Sequence, residues 1–297
     1  MAPAKRTLRL VAAVVCAALG VPTAHALDVE VVGAPPALST AITRAARAAE
    51  RVCERWYEIE YERPVSIEWS TDSAMLQRFD MEATGSVAGL AWPVESRIVL
   101  SAPVLSANPQ RLEPVVLHEM SHLFFAAATA GAEVSPPRWL DEGIAMHLSG
   151  DWDLGFSRRS DDRRLLRDAS AAGSLVPFAD LDSSFPEGPF FQLAYAQSLS
   201  FVEWLAGRRG EAGLRALLDA FDRDLDPGPA MTEIYGETLE SAEAAWSAQL
   251  RSGGWLGRLP SAETMFSALW IGLGLLVVLR FARTRWQLRR VEEDIDE

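Results

Sequence analysis

Residues 118–122 read His118-Glu119-Met120-Ser121-His122. On a helix, positions i and i+4 lie on one face, about one turn apart. Two imidazoles so placed can reach one metal ion at about 2.0–2.1 Å from each ring nitrogen. Glu119 then stands beside the metal, where its carboxylate can take a proton from bound water. Two ligands and a general base on a single turn is the layout of metal-assisted hydrolysis. The whole chain has only 4 His in 297 residues, and two of them stand here. The flanks are apolar, Pro114 to Leu117 before and Leu123 to Phe125 after. Three polar groups on so apolar a helix need a shared partner. The competing reading is a core helix with two hydrogen-bonded histidines.

Catalytic zinc takes three protein ligands and keeps one position open. The residues near His118 and His122 that could supply the third are Asp141, Glu142 and His147. The first two sit in Trp139-Leu140-Asp141-Glu142-Gly143-Ile144-Ala145. A second helix carrying a carboxylate in its first turn can cross the first and face the metal.

HEMSH followed by WLDEGIA resembles the gluzincin metallopeptidases, in particular the bacterial peptidase-MA-like families and, more distantly, the M1 aminopeptidases. The resemblance covers about residues 85–250. It implies His118, His122 and Glu142 as zinc ligands and Glu119 as the base. Nineteen residues separate His122 from Glu142, one more than the usual M1 spacing, at which Asp141 would stand. The local WLxEG match selects Glu142 and leaves Asp141 as an acid at the helix N-terminus, stabilised by the dipole. Gly89, Leu90 and Ala91 fall where these families have the edge strand of the cleft, which can pair with an extended peptide. Gly89-Leu90-Ala91-Trp92-Pro93 lacks the Glu of the M1 GxMEN strand that holds a free amino terminus, which favours an endopeptidase. A Tyr or His from a downstream helix stabilises the oxyanion in gluzincins. Tyr195 is the candidate for that role, with Tyr235 and His147 behind it.

Elements that would position these residues follow from periodicity and punctuation. Asp28–Val32, Pro64–Ser70, Val87–Trp92 and Arg97–Ser101 read as strands. Pro35-Pro36 reads as a turn, with Ser39 or Thr40 capping a helix that runs to about Tyr57. Short helix 73–79 follows the second strand. Gln110 to about Ala130 is a strong helical stretch, Trp139 opens another that ends near Gly150, and 161–251 is mostly helical. The expected fold is α+β, a zincin-like domain with a mixed sheet and an active-site helix, and a helical C-terminal lobe.

Both chain ends carry targeting signals. Lys5, Arg6 and Arg9 precede the apolar run Leu10–Leu19, and Ala24-His25-Ala26 offers a cleavage site, so residues 1–26 read as a secretory signal peptide. Cleavage leaves Cys53 as the one cysteine, most simply a buried small apolar residue. Residues 264–282 are uncharged except for Arg280 and largely apolar, and four arginines follow (Arg283, Arg285, Arg289, Arg290), so this stretch reads as a transmembrane helix with its C-terminal side inside. The predicted organisation is signal peptide 1–26, metallopeptidase domain 27–251 (an α/β part 27–150 and a helical part 151–251), linker 252–263, span 264–282 and cytoplasmic tail 283–297. The compact signal and a chain with Lys5 as its single lysine suggest a bacterial inner membrane with the domain on the periplasmic side.

Composition sets outer bounds. With 49% hydrophobic and 23% charged residues the chain is neither disordered nor collagenous. The formal net charge is -13. Eight of the 28 basic and five of the 41 acidic residues lie in the two ends, so residues 27–263 are near -16. That balance argues against nucleic acid as a partner. The reading is a membrane-anchored, extracytoplasmic zinc peptidase acting on a peptide or protein of the cell envelope. One alternative is a non-catalytic peptidase-fold module that binds envelope partners. The other, an intramembrane zinc protease, needs several spans where the sequence offers one.

Overall fold

A computed structural model describes residues 27–72, 87–132, 135–150, 159–182, 185–186, 189–223 and 225–252. The signal peptide, the short helix at 73–79, the membrane span and the tail expected from the sequence lie outside these residues. Among the described residues no helix is long and apolar enough to cross a membrane. The chain divides into two compact units, Met1–Ser247 and Ala248–Glu297. Of the second, only the end of the last helix is described.

The first unit is α+β, a small mixed sheet followed by a run of helices. Strand β1 (Val29–Val32) leads into helix α1 (Pro36–Tyr57), which returns the chain to β2 (Val65–Ser70) beside β1. Then come β3 (Gly89–Trp92) and β4 (Arg97–Ser101). The sheet order is β1-β2-β4-β3, with β1, β2 and β4 parallel and β3 antiparallel at the edge. Opposite directions for β3 and β4 follow from their short link, a single 3-10 turn at Pro93–Glu95 closed by Ser96 at φ 52°. The ends of the pair are tied by the Arg97 guanidinium, 5.1 Å from the Trp92 ring centre. The central strands bury Val65, Ile67, Ile98 and Leu100, as strands covered by helices must.

Helix α1 starts at Pro36, three residues before the predicted Ser39 cap. Proline at the first helical position loses no intrahelical hydrogen bond, and its φ already suits the helix. Ser39 and Thr40 therefore lie inside the first turns, and the Thr40 hydroxyl bonds back to the Pro36 carbonyl. The buried face of α1 carries Ile42, Ala46, Ala49 and Cys53. Cys53 is fully buried and free, and burial pushes its thiol far above the ordinary range.

After β4 a short helix, α2 (Ala102–Ala107), precedes α3 (Leu112–Ala128), which carries the His118–His122 turn. Helix α3 is apolar nearly all round, packs against α1 and β3, and buries Val116, Met120, Leu123 and Phe124. The Tyr57 hydroxyl of α1 donates to the Ser121 carbonyl at 3.2 Å and lies 2.7 Å from its Oγ, while its ring stacks on Phe124. Ser121, between the two histidines in sequence, thus ties the histidine-bearing turn of α3 to α1.

Helices α4 (Arg138–Ser149), α5 (Arg159–Ala172), α6 (Pro189–Asp222), α7 (Pro227–Tyr235) and α8 (Leu239–Ser252) complete the described chain. Pro136 and Pro137 delay α4 until Arg138, and Gly150 ends it in the left-handed region. Helix α6 is broken at Gly210. Behind α4 lies an aromatic cluster: Phe178 stacks on Phe201 at 4.2 Å between ring centres, with Trp139 and Trp246 against both. All four rings are buried. Each pair adds about 0.5–1.5 kcal/mol beyond its buried area, so the start of α4 is held firmly by Trp139.

Candidate metal centre

Helices α3 and α4 pack together and bring their polar faces to one point. His118 Nε2 lies 3.4 Å from Glu142 Oε2, and His122 Nε2 lies 3.6 Å from the same oxygen. The three donor atoms lie within 4.8 Å of one another. A tetrahedral zinc with arms of about 2.0–2.1 Å needs ligands about 3.3 Å apart. The chemistry of the set, two imidazoles and one carboxylate, fits the same ion, so His118, His122 and Glu142 could hold it.

Each side chain has a structural reason to be there. Glu142 divides its oxygens: Oε2 faces the histidines, while Oε1 accepts hydrogen bonds from Arg138 at 3.4 Å and Tyr195 at 3.3 Å. Arg138 is itself laid over the Phe185 ring at 5.0 Å. Gly143 lets α4 approach α6. A Cβ there would stand 2.6 Å from Val202 Cγ2 and 2.7 Å from the Ser198 carbonyl oxygen. The glycine of WLDEG is thus a contact-distance residue for the helix that carries Glu142.

Glu119 is buried beside the histidines, on the side of β3. A Cβ at Gly89 would come within 2.7 Å of its Oε1, so the bare backbone of Gly89 makes room for the carboxylate. Burial pushes the Glu119 pKa up, and His118 and His122 pull it partly back. Tyr195 on α6 has its hydroxyl on Glu142, and burial together with that carboxylate keeps the phenol protonated far above neutral pH.

A cleft of about 540 Å³ opens over these groups. It is lined by Gly89, Leu90 and Ala91 of edge strand β3, by Arg138, Asp141 and Glu142 of α4, by His118, Glu119 and His122 of α3, and by Tyr195 of α6. All eight residues that the sequence reading placed in the site therefore line one cavity. Two weaker candidates stand elsewhere. His147 Nε2 is paired with Glu211 at 2.9 Å, and Tyr235 packs beside Gly213; neither lines the cleft. Asp141 does occupy the first turn of α4, but its carboxylate is turned onto His122 Nδ1 at 2.8 Å. Sequence reasoning missed that contact and the part played by Arg138. One helical turn between Arg138 and Glu142 was the available signal for the latter.

In the metal-free protein this packing has a pH signature. Burial alone would lower the His122 pKa, but the charges of Asp141 and Glu142 and the Asp141 hydrogen bond raise it from 6.5 to about 10. Burial alone would raise Glu142, but His122, His118 and Arg138 hold it down at about 2, from 4.5. The raised base stabilises the fold below pH 6.5, and that contribution is lost as pH rises towards 10. The depressed acid stabilises it above pH 4.5, and that is lost as pH falls towards 2. Thermal unfolding in chelator should therefore show the highest midpoint between about pH 4.5 and 6.5, with a decline on each side. A midpoint unchanged from pH 6.5 to 10 would contradict the His122 pairing.

Comparison with known proteins points the same way. No curated protein sequence matches the chain. A family model does, that of the peptidase MA superfamily, over residues 52–252. The match runs from the second half of α1 to the end of α8 and includes the crossed helices, the edge strand and the Tyr195 helix. On that match, and on a His-His-Glu set gathered at one point beside a buried glutamate, the chain belongs to the peptidase MA superfamily.

Proposed function

We propose that this chain is a zinc-dependent endopeptidase of the cell envelope, with its catalytic domain on the periplasmic side of a bacterial inner membrane, anchored by residues 264–282. The observation that carries the reading is the placement of buried Glu119 next to a zinc-compatible ligand set in a cleft that is also lined by β3, the edge strand of the sheet among the described residues. The signal-like residues 1–26 and the apolar stretch 264–282 with its following arginines support the location.

His118, His122 and Glu142 would hold the zinc, which supplies Lewis acidity to a water and to a peptide carbonyl. An extended peptide pairs with the outer edge of β3, so the site reads backbone rather than side chains. Glu119 takes the proton of the attacking water and delivers it to the leaving amine. Its raised pKa suits both halves of that transfer. Tyr195, kept neutral, would turn its one hydroxyl hydrogen from Glu142 to the oxygen that gains charge.

The test is bound metal per chain by elemental analysis of the purified protein and of His118→Ala, with cleavage of a peptide library. About one zinc, lost in the variant, together with internal cleavage of peptides, is the expected result. Zinc without any peptide turnover would favour a binding module for envelope partners. No zinc in the folded, zinc-supplemented protein would remove the metal centre altogether.

A further inference from the structure

We infer that Asp141 is the positioning residue of the metal centre, and that it acts by fixing His122 through the nitrogen that faces away from the metal. This rests on the metal-centre reading above. The two nitrogens of an imidazole point in nearly opposite directions. Asp141 Oδ1 lies 2.8 Å from His122 Nδ1, while Nε2 of the same ring lies 3.6 Å from Glu142 Oε2. A carboxylate on Nδ1 is behind the ring as seen from the ligand cluster, so Asp141 cannot also be a ligand in this arrangement. It selects the form with the proton on Nδ1, which leaves the Nε2 lone pair for the metal and sets the plane of the ring.

The two histidines differ in their need for such a partner. His118 is the more deeply buried, with 7% of its side chain exposed, and its Nδ1 is buried without a hydrogen-bond partner among the described residues. Packing orients it. His122 is nearer the opening, with 13% of its side chain exposed, and has the Asp141 carboxylate behind it. Its orientation is set by one hydrogen bond across two helices.

The position of Asp141 one residue before Glu142 makes this economical. The first turn of α4 supplies the third ligand with one side chain and the orientation of the second with its neighbour. A shift of α4 that moved Glu142 would move the ring of His122 with it.

The experiment compares zinc affinity, by competition with a chromophoric chelator, for the full-length wild type, Asp141→Ala and Asp141→Asn. Partners behind a ligating histidine are worth about 10–100-fold in metal affinity. Asp141→Ala should weaken zinc binding by about that factor. Asp141→Asn keeps an acceptor oxygen without the charge and should recover most of it. An acid that acted only on the helix dipole would leave zinc affinity unchanged in both variants and lower stability in both. The second readout is the 15N spectrum of His122 in the zinc-loaded protein. The wild type should show a protonated Nδ1 and a metal-bound Nε2, and Asp141→Ala should show a second or averaged form. Zinc affinity and spectrum both unchanged in Asp141→Ala would overturn the inference. A wild type that takes up no zinc would overturn the metal-centre reading and this inference with it, and that failure is distinct because it is seen before any substitution.

Discussion

Glu119→Gln should lose about 10²–10⁴-fold in peptide turnover while binding one zinc with the wild-type affinity. The amide keeps the size and planarity of the carboxylate but cannot take a proton. The residues that could hold a metal are His118, His122 and Glu142, and Glu119 is not among them, so the count of candidate ligands does not change. The side chain is 6% exposed and close against the Gly89 backbone, and glutamine fits the same space. No unpaired charge is created, since the substitution removes one that burial already penalised. Stability should therefore hold or rise slightly. The measurement is turnover of a peptide cleaved by the wild type, beside zinc stoichiometry on the same samples. A glutamine variant with wild-type turnover would remove Glu119 from the mechanism. Loss of zinc would instead mean that Glu119 holds the ligand cluster together.

The parts of the site that could be read in the sequence are those encoded by spacing along one helix. His118, Glu119 and His122 share a turn, and a helix returns that information directly. Glu142 needed more, because nineteen residues, a loop and a helix crossing separate it from His122; the local WLDEG pattern, not geometry, selected it. Contacts between elements were not legible. Asp141 read as a helix-terminal acid because only the crossing of α3 and α4 brings His122 to it. Gly89 read as a substrate-strand residue, and its nearness to Glu119 depends on how β3 lies on α3. The strands and long helices were placed well from periodicity. Helix α2 had no prediction: at six residues with Pro103 inside its first turn, it is too short to show a period. The start of α1 was missed because a pair of prolines signals a turn and a helix opening equally well.

The second large effect should come from Gly143→Ala, which adds one methyl group outside the ligand set. A helix-interior glycine replaced by alanine ordinarily gains about 0.8–1.0 kcal/mol. Gly207, on α6, shows the ordinary case, since a Cβ there meets nothing within 4 Å, and Gly207→Ala should be neutral or stabilising. At Gly143 the new methyl stands 2.6 Å from Val202 Cγ2 and 2.7 Å from the Ser198 carbonyl oxygen. Overpacking of that kind costs about 1–3 kcal/mol, which exceeds the gain in helix propensity. The aromatic cluster at Trp139 resists separation of α4 from the helical lobe, so the strain falls on the turn that carries Asp141 and Glu142. We expect a lower urea midpoint and weaker zinc binding in the same variant. Adding Val202→Ala should restore only part of both, because it clears the methyl contact but leaves the Ser198 carbonyl, which belongs to the backbone of α6 and cannot rotate away. Full recovery in the double variant would show that α4 and α6 are set apart by side chains alone, and that the backbone approach at Gly143 has no part in presenting Glu142 to the metal.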